Sequence, residues 1–445
     1  MAERRRAVVL LLALSACAHY VPRPLDPPAT AQWEATRLDA PAVLAALDSV
    51  GGAPAPGRWR AVDVARAAWW ASPARRRADA QVEAARAALR TAGARPGPGL
   101  ASQTEFAFSG RDGSSRWGLA LTGLFRVELG GKRGARQARA EAGVLAAIAR
   151  SRAEGWELEG RVRRAAGALA ALERAAAAAV AVRAALDSVV RLSEARYAEG
   201  SLGAGERARV RTDLATAVQD EARLARLIRE QRGVLASEAG VPEAALQALG
   251  PLVEDSARCP ADTVRQALLA GALERRWDLR VALAGYQEAE ADLRGEVARS
   301  WPDLELGPGL FFDHGVGKWT LGLGLPDLLL HGNRGPIGEA IAARAVAAAR
   351  VDEAATLVLT DVEAAVSACR AAAREREGLD AAAAVERLAV LEAAWQRGEL
   401  GRLEVALARV EVARLERQAA ELAAAERMAA DDLAWRAGAD APPER

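Results

Sequence analysis

The sequence predicts a mixed α and β chain, mainly long α-helical coiled-coil hairpins plus four membrane-type β-strands, organised as one unit written twice. Three observations predict it. Apolar residues make up 51% of the 445 residues but aromatics only 4%. Alanine supplies much of that apolar fraction, and as the best helix former it favours long helices with thin, close-packed seams. Landmarks recur in the same order about 200 residues apart, the signature of an internal repeat. Short segments with period-two alternation sit at matching places in the two halves.

The chain opens with Arg4, Arg5 and Arg6 ahead of the apolar run Ala7 to Leu14, then Leu14-Ser15-Ala16-Cys17. This reads as an export signal over residues 1–17. Small residues before a cysteine resemble the bacterial lipobox, which implies that Cys17 is acylated and becomes the mature N-terminus. Residues 18–60, with Pro22, Pro24, Pro27 and Pro28, read as a proline-rich tether. No later stretch reads as a membrane-spanning helix: the alanine-rich run 165–186 is broken by Glu173, Arg174 and Arg183. A membrane crossing would therefore use strands. Export makes a disulfide between Cys259 and Cys369 chemically possible, but with no framework spacing they read first as small buried residues.

The repeat units are 61–240 and 262–437, separated by a linker at 241–261 and followed by a tail at 438–445. Leu129-Gly130-Gly131-Lys132-Arg133-Gly134 is echoed by Leu330-His331-Gly332-Asn333-Arg334-Gly335, 201 residues on. Arg196-Tyr197-Ala198-Glu199-Gly200-Ser201-Leu202-Gly203 is echoed by Ala394-Trp395-Gln396-Arg397-Gly398-Glu399-Leu400-Gly401, 198 on. Each unit starts with a helix, at 62–94 and at 262–299, where Asp262 is placed to cap the N-terminus. Proline ends both helices (Pro96 and Pro98; Pro302). Strand pairs come next, at 100–108 with 116–129 and at 303–312 with 318–330, joined by turns at 109–115 and 313–317. Trp117-Gly118-Leu119-Ala120-Leu121-Thr122 and Trp319-Thr320-Leu321-Gly322-Leu323-Gly324 alternate apolar with small or polar residues.

A helix of roughly 60 residues then appears in each unit, at 135–198 and 337–397, about 90 Å long at 1.5 Å per residue. A glycine-containing turn reverses the chain, and a shorter helix returns over 206–239 or 403–435. Val405, Ala408, Val412, Leu415, Ala419 and Leu422 alternate spacings of three and four, a coiled-coil seam of small residues. Leu214, Val218, Leu224, Leu227, Ile228 and Leu235 form a comparable stripe.

Four strands cannot close a barrel alone, and open sheet edges are not tolerated in lipid. The chain must then oligomerise, and three copies give twelve strands, within the range of outer-membrane barrels. Over essentially all of its mature length the sequence resembles the TolC-like outer membrane efflux protein family. The resemblance rests on the doubled element order, the strand-to-helix signatures and the two hairpin turns. Glu128-Leu129-Gly130-Gly131-Lys132-Arg133 and Asn333-Arg334-Gly335 further resemble its heavy-metal (CzcC/CusC-type) branch. The family implies a homotrimer in the cell outer membrane, with a twelve-stranded barrel and a periplasmic helical tunnel. It implies docking through the hairpin tips (Gly200, Leu202, Gly398, Leu400) onto a periplasmic adaptor, or membrane fusion protein. The adaptor connects to an inner-membrane pump, of RND type for this branch, that passes small solutes outward. It also places acidic residues near the periplasmic aperture, where Glu206 and Glu404 stand six positions after the tip glycines, with Arg207, Arg209 and Arg402 close enough to pair.

Other classes fit less well. The near balance of 60 basic and 59 acidic residues lacks the basic excess of a nucleic-acid protein. The histidines, His19, His314 and His331, are scattered, and no catalytic set, metal-ligand spacing or phosphate loop is present, so neither enzyme activity nor a cofactor is expected. Two methionines are too few for a soft-metal relay. The alternatives are a type I secretion channel, or a coiled-coil envelope scaffold without a pore; the paired strand hairpins argue against the scaffold.

Overall fold

The computed structural model describes residues 20–25, 30–50, 52–109, 115–253, 258–313, 316–325 and 332–438. Cys17 and the leader lie outside the described residues, as do His19, His314, His331 and the tail from residue 439. The chain divides into a short unit, 1–37, and a main unit, 38–445. Among its described residues the short unit carries one helix, α1 (Thr30–Glu34).

Residues 38–60 are not tether. They carry α2 (Pro41–Val50), and Leu38, Leu47 and Trp59 are buried beside Val64, Val162, Leu235 and Leu249. Removing each large apolar side chain from water contributes roughly 1.5–3 kcal/mol, which outweighs the local preference of the prolines for an extended chain.

The helix expected over 62–94 is two, α3 (Ala61–Ala71) and α4 (Pro73–Ala92). Pro73 disfavours helical geometry at the residue before it. Ser72 accordingly takes ψ 144° and caps α4 by accepting from the Arg75 amide at 3.0 Å. The helix expected over 262–299 divides at the corresponding place. Asp262 opens a one-turn 3-10 helix (Asp262–Val264), so the cap position of α8 (Arg265–Arg275) falls to Val264, which makes no side-chain cap, and α8 meets α9 (Trp277–Arg299) at Arg276. No proline or glycine marks that break. Buried Arg276 is held extended by Asp278 and by Asp361, 3.2 Å away, with its guanidinium over the Trp156 ring.

Two hairpins form one antiparallel sheet in the order β1-β2-β3-β4. The strands are β1 (Gly99–Phe106), β2 (Trp117–Val127), β3 (Leu304–Asp313) and β4 (Val316–Gly324). β4 stops before the expected residue 330, and residues 326–331 lie outside those described. The first hairpin joins the second through β2 and β3, with Leu121 opposite Leu310 and Val127 opposite Leu304.

After each hairpin the chain makes the same bend into a helix. Gly130 and Gly131 have φ of 69° and 75°, and their counterparts Gly332 and Asn333 have 57° and 56°. Two consecutive left-handed residues exclude ordinary side chains, and asparagine is among the few that tolerate the region. α5 (Lys132–Ala198) then runs unbroken for 67 residues, about 100 Å. Its counterpart does not. α10 (Arg334–Glu377) ends at Gly378, and α11 (Ala382–Gln396) restarts where the Asp380 carboxylate accepts from the Ala382 amide. The return helices are α6 (Ala204–Ala239) and α12 (Arg402–Arg436), with the short α7 (Glu243–Gln247) after the first.

The expected seam of α12 is buried at Val405 and Ala408 and is wider than a heptad pair, taking in Leu403, Ala406, Val410 and Ala413. On α6, Leu224 and Leu235 are buried, whereas Val218 is exposed and leaves the stripe. α5 contains the one stretch among the described residues that is long and apolar enough to cross a membrane. It includes alanines that serve packing: Ala175 and Ala179 are buried against Leu224 of α6.

Cys259 and Cys369 form a disulfide, with Cα atoms 5.6 Å apart. The expectation of burial holds for Cys369; that of separate cysteines is overturned by topology, because the segment before α8 packs on α10.

Where α5 meets α12, the Trp435 ring stacks on Trp156 with centroids 4.4 Å apart and donates its indole N–H to the Trp156 carbonyl. It lies over Gly160, where any β-carbon would overlap it. Gly160→Ala therefore loses about 1–2 kcal/mol net, although alanine gains about 1 kcal/mol in helix propensity. The thermal midpoint should fall and tryptophan fluorescence shift; an unchanged midpoint would show that the ring yields without cost.

Candidate functional site

In an antiparallel sheet directly opposed residues point to the same side. Tracing the register across the strands assigns two faces. One carries Leu100 and Phe106 of β1, Trp117, Leu119, Leu121, Phe125 and Val127 of β2, Leu306, Leu310 and Phe312 of β3, and Trp319, Leu321 and Leu323 of β4. Only Ser102 and Thr104 interrupt it with polar atoms. Most of these large apolar groups are exposed, Leu100, Leu323 and Trp319 by 73%, 71% and 69%. The other face is small and polar, with Gln103, Glu105, Thr122, Thr320 and Lys318 among Gly118, Gly307, Gly309, Gly322 and Gly324. Arg126 and Glu305 pair across it at 3.4 Å. Leu124, Phe311 and Val316 are its larger apolar exceptions.

β1 and β4 are the outer strands of this sheet, so each presents one row of backbone N–H and C=O groups without a ladder partner among the described residues. An apolar face with open edges is costly in water and impossible in lipid as it stands.

The helical turns far along the chain are built alike. α5 ends with Gly200 at φ 74°, its amide donating to the Tyr197 carbonyl and the Ser201 amide to Arg196. α11 ends with Gly398 at φ 78°, its amide donating to Trp395 and the Glu399 amide to Ala394. Both are Schellman caps, which use the left-handed residue to satisfy the last carbonyls. Gly203 and Gly401, both extended, then open α6 and α12. Leu202 and Leu400 are half-buried, and Leu202 packs on the cluster of Val189, Val210 and Leu403. Each turn sets an arginine over its aromatic ring: Arg207 over Tyr197 at 4.4 Å and Arg402 over Trp395 at 5.6 Å.

The acidic pair expected near the turns divides. Glu206 is exposed at the start of α6. Glu404 is engaged: one oxygen accepts from Arg196 at 3.2 Å, tying α12 to α5, and the other is buried without a partner. A β-carbon at Gly401 would intrude on both groups. Among the expected arginines, Arg207 pairs with Glu194 at 2.8 Å, and that hydrogen bond holds its pKa above the usual arginine value. Arg196 is the partner that sequence reasoning missed; nothing in its spacing singles it out from its neighbours. Arg397 pairs with Glu399 at 2.7 Å and holds that carboxyl below the usual range. This contact is therefore present above the ordinary glutamate pKa and is lost as pH falls through the lowered one.

No protein-family model matches the sequence, and no curated protein does. Solved structures do. VceC, an outer membrane protein of Vibrio cholerae, is 22% identical, with a TM-score of 0.63 over 86% of this chain and 99% of its own. The outer-membrane channel OprN is 17% identical, with a TM-score of 0.66 over 88% and 95%. CusC is 17% identical, with a TM-score of 0.63 over 85% and 92%. The chain therefore has the fold of these outer-membrane channels, and CusC does not stand apart from the others.

Glu404→Gln keeps the shape of the turn but removes the ion pair to Arg196. Both groups are more than a third exposed, so the loss is at most about 1 kcal/mol. Amide exchange near residues 196 and 404 should quicken while that of α9 stays constant; no change at either would show that the pair holds nothing.

Proposed function

We propose that this chain is one subunit of an outer-membrane channel that passively conducts small solutes, with three copies closing a twelve-stranded barrel. The single observation that carries this reading is the four-stranded sheet with an exposed apolar face, a small polar face and two open edges. Joining β4 of one copy to β1 of the next completes every ladder, turns the apolar face to lipid and encloses the glycine-rich face as a lumen. The helical hairpins continue the lumen into the periplasm. The disulfide fits an exported chain, since such bonds persist in oxidising compartments.

In this reading Cys17 carries the lipid anchor, and Gly200, Leu202, Gly398 and Leu400 form the tips that meet a periplasmic adaptor. The adaptor hands over solute from an inner-membrane pump of RND type; metal cations and drugs are the candidate cargoes. A threefold axis through the tips repeats Glu206 and Glu404 as rings of three carboxylates, which favour cations by their focused field. Glu404→Gln should then lower cation preference in planar bilayers, and identical selectivity would remove it from the aperture.

Adjacent residues on β4 test the sheet. Leu321→Arg puts charge on the lipid face, which costs roughly 2–4 kcal/mol near mid-membrane, and should abolish the heat-sensitive trimer in detergent. Thr320→Arg faces the lumen and should leave the trimer intact. Equal damage from both, or a wild-type monomer, would overturn the barrel. Cys17→Ser should abolish acylation, and retained lipid labelling would rule out the anchor.

A further inference from the structure

The cysteines differ in how a reagent could reach them. Cys259 lies in the irregular segment ahead of α8 and is only partly buried, whereas Cys369 is in mid-helix on α10 and 1% exposed. Cys369 sits among Val362, Val366, Ala430 and Leu433. Among the described residues, beside it lies a crevice of about 10 Å³, walled by Pro260, Leu268, Val366 and Leu433. That holds one water at most and admits no second protein. The bond spans 110 residues, enclosing α8, α9, the β3-β4 hairpin and most of α10, so the sulfurs meet only after the second hairpin has brought the chain back on itself.

We infer that Cys259 and Cys369 are the substrate of a protein dithiol oxidant of the cell envelope, with Cys259 the sulfur the oxidant engages and Cys369 the one that resolves it. The Cys259 thiolate attacks the disulfide of the oxidant, forming a mixed disulfide and releasing one of its sulfurs as thiolate. Cys369, delivered by the packing of α10 against α8, then attacks the Cys259 sulfur and expels the second. The chain loses two protons and two electrons; the oxidant gains both and leaves as a dithiol. Exchange of this kind requires a thiolate with access to a sulfur, and only Cys259 offers access once α8 has docked. The reverse order would put the oxidant in a crevice the size of a water molecule.

The oxidation as such rests on the chain being exported; the order of attack does not. The test therefore starts from purified wild-type full-length protein, incubated with reduced glutathione without denaturant, quenched with acid and mapped by mass spectrometry. Glutathione should be found on Cys259 at least tenfold more often than on Cys369, and adducts mainly on Cys369 would overturn the order. In cells, Cys369→Ser should trap Cys259 in a mixed disulfide that thiol treatment releases, and Cys259→Ser should trap none. Two freely alkylated cysteines in wild-type protein taken from the envelope would overturn the oxidation while leaving the channel standing, since the trimer is read separately.

Discussion

Everything in this chain answers to the backbone hydrogen bonds of four strands. A sheet with two edges unpaired among the described residues and an apolar face is costly in water, which surrounds its leucines and tryptophans, and impossible in lipid, which offers no donors or acceptors. Closing the sheet with copies of itself removes both problems at once. The proposed closure would also constrain the connections: each strand pair would have to hand its chain to a helix at the rim, in the same direction. The paired left-handed residues at Gly130-Gly131 and Gly332-Asn333 perform that turn. Their conformation is so restrictive that the second half reaches it with an asparagine where the first uses glycine.

The halves solve other problems with different residues. Ser72-Pro73 breaks the first leading helix by local sterics, and Arg276 breaks the second by being pulled between Asp278 and Asp361. Each break lets a short helix cover the flank of a long one. Farther on they part company. α5 runs without interruption, whereas Gly378 and Asp380 divide its counterpart. The two hairpins are thus alike in plan and unlike in stiffness.

Features were legible in the sequence wherever their physics is local. Strand alternation, the left-handed junctions and the glycine caps at Gly200 and Gly398 are each decided by a few neighbouring residues, and all could be read. The break at Arg276 could not, because its cause lies partly at Asp361, 85 residues away. The disulfide was hidden for the same reason. The proline-rich stretch misled in the opposite direction: its prolines speak locally for a tether, but Leu38, Leu47 and Trp59 answer to a core assembled from α3, α5 and α6. At the candidate site the turn geometry was legible, and the engagement of Glu404 with Arg196 was not.

The near balance of arginine and carboxylate has a structural meaning at the tips. Along the shafts, pairs such as Arg417 with Asp220 and Arg183 with Glu221 lace the helices together, but each is partly exposed and worth at most about 1 kcal/mol. The apolar seam supplies the energy there and the ion pairs supply register. Approaching Gly200 and Gly398 the seam narrows to one cluster, with Val189, Val210 and Leu403 buried and Leu192 and Leu202 packed against it. Beside that cluster Arg196 of α5 pairs with Glu404 of α12, a weak and screened contact. Displacing a tip sacrifices this pair and the contacts of Leu202 and Leu403, whereas displacing a shaft exposes a longer buried seam. In the proposed channel motion is then cheapest at the end that would have to widen, because the buried seam is shortest there.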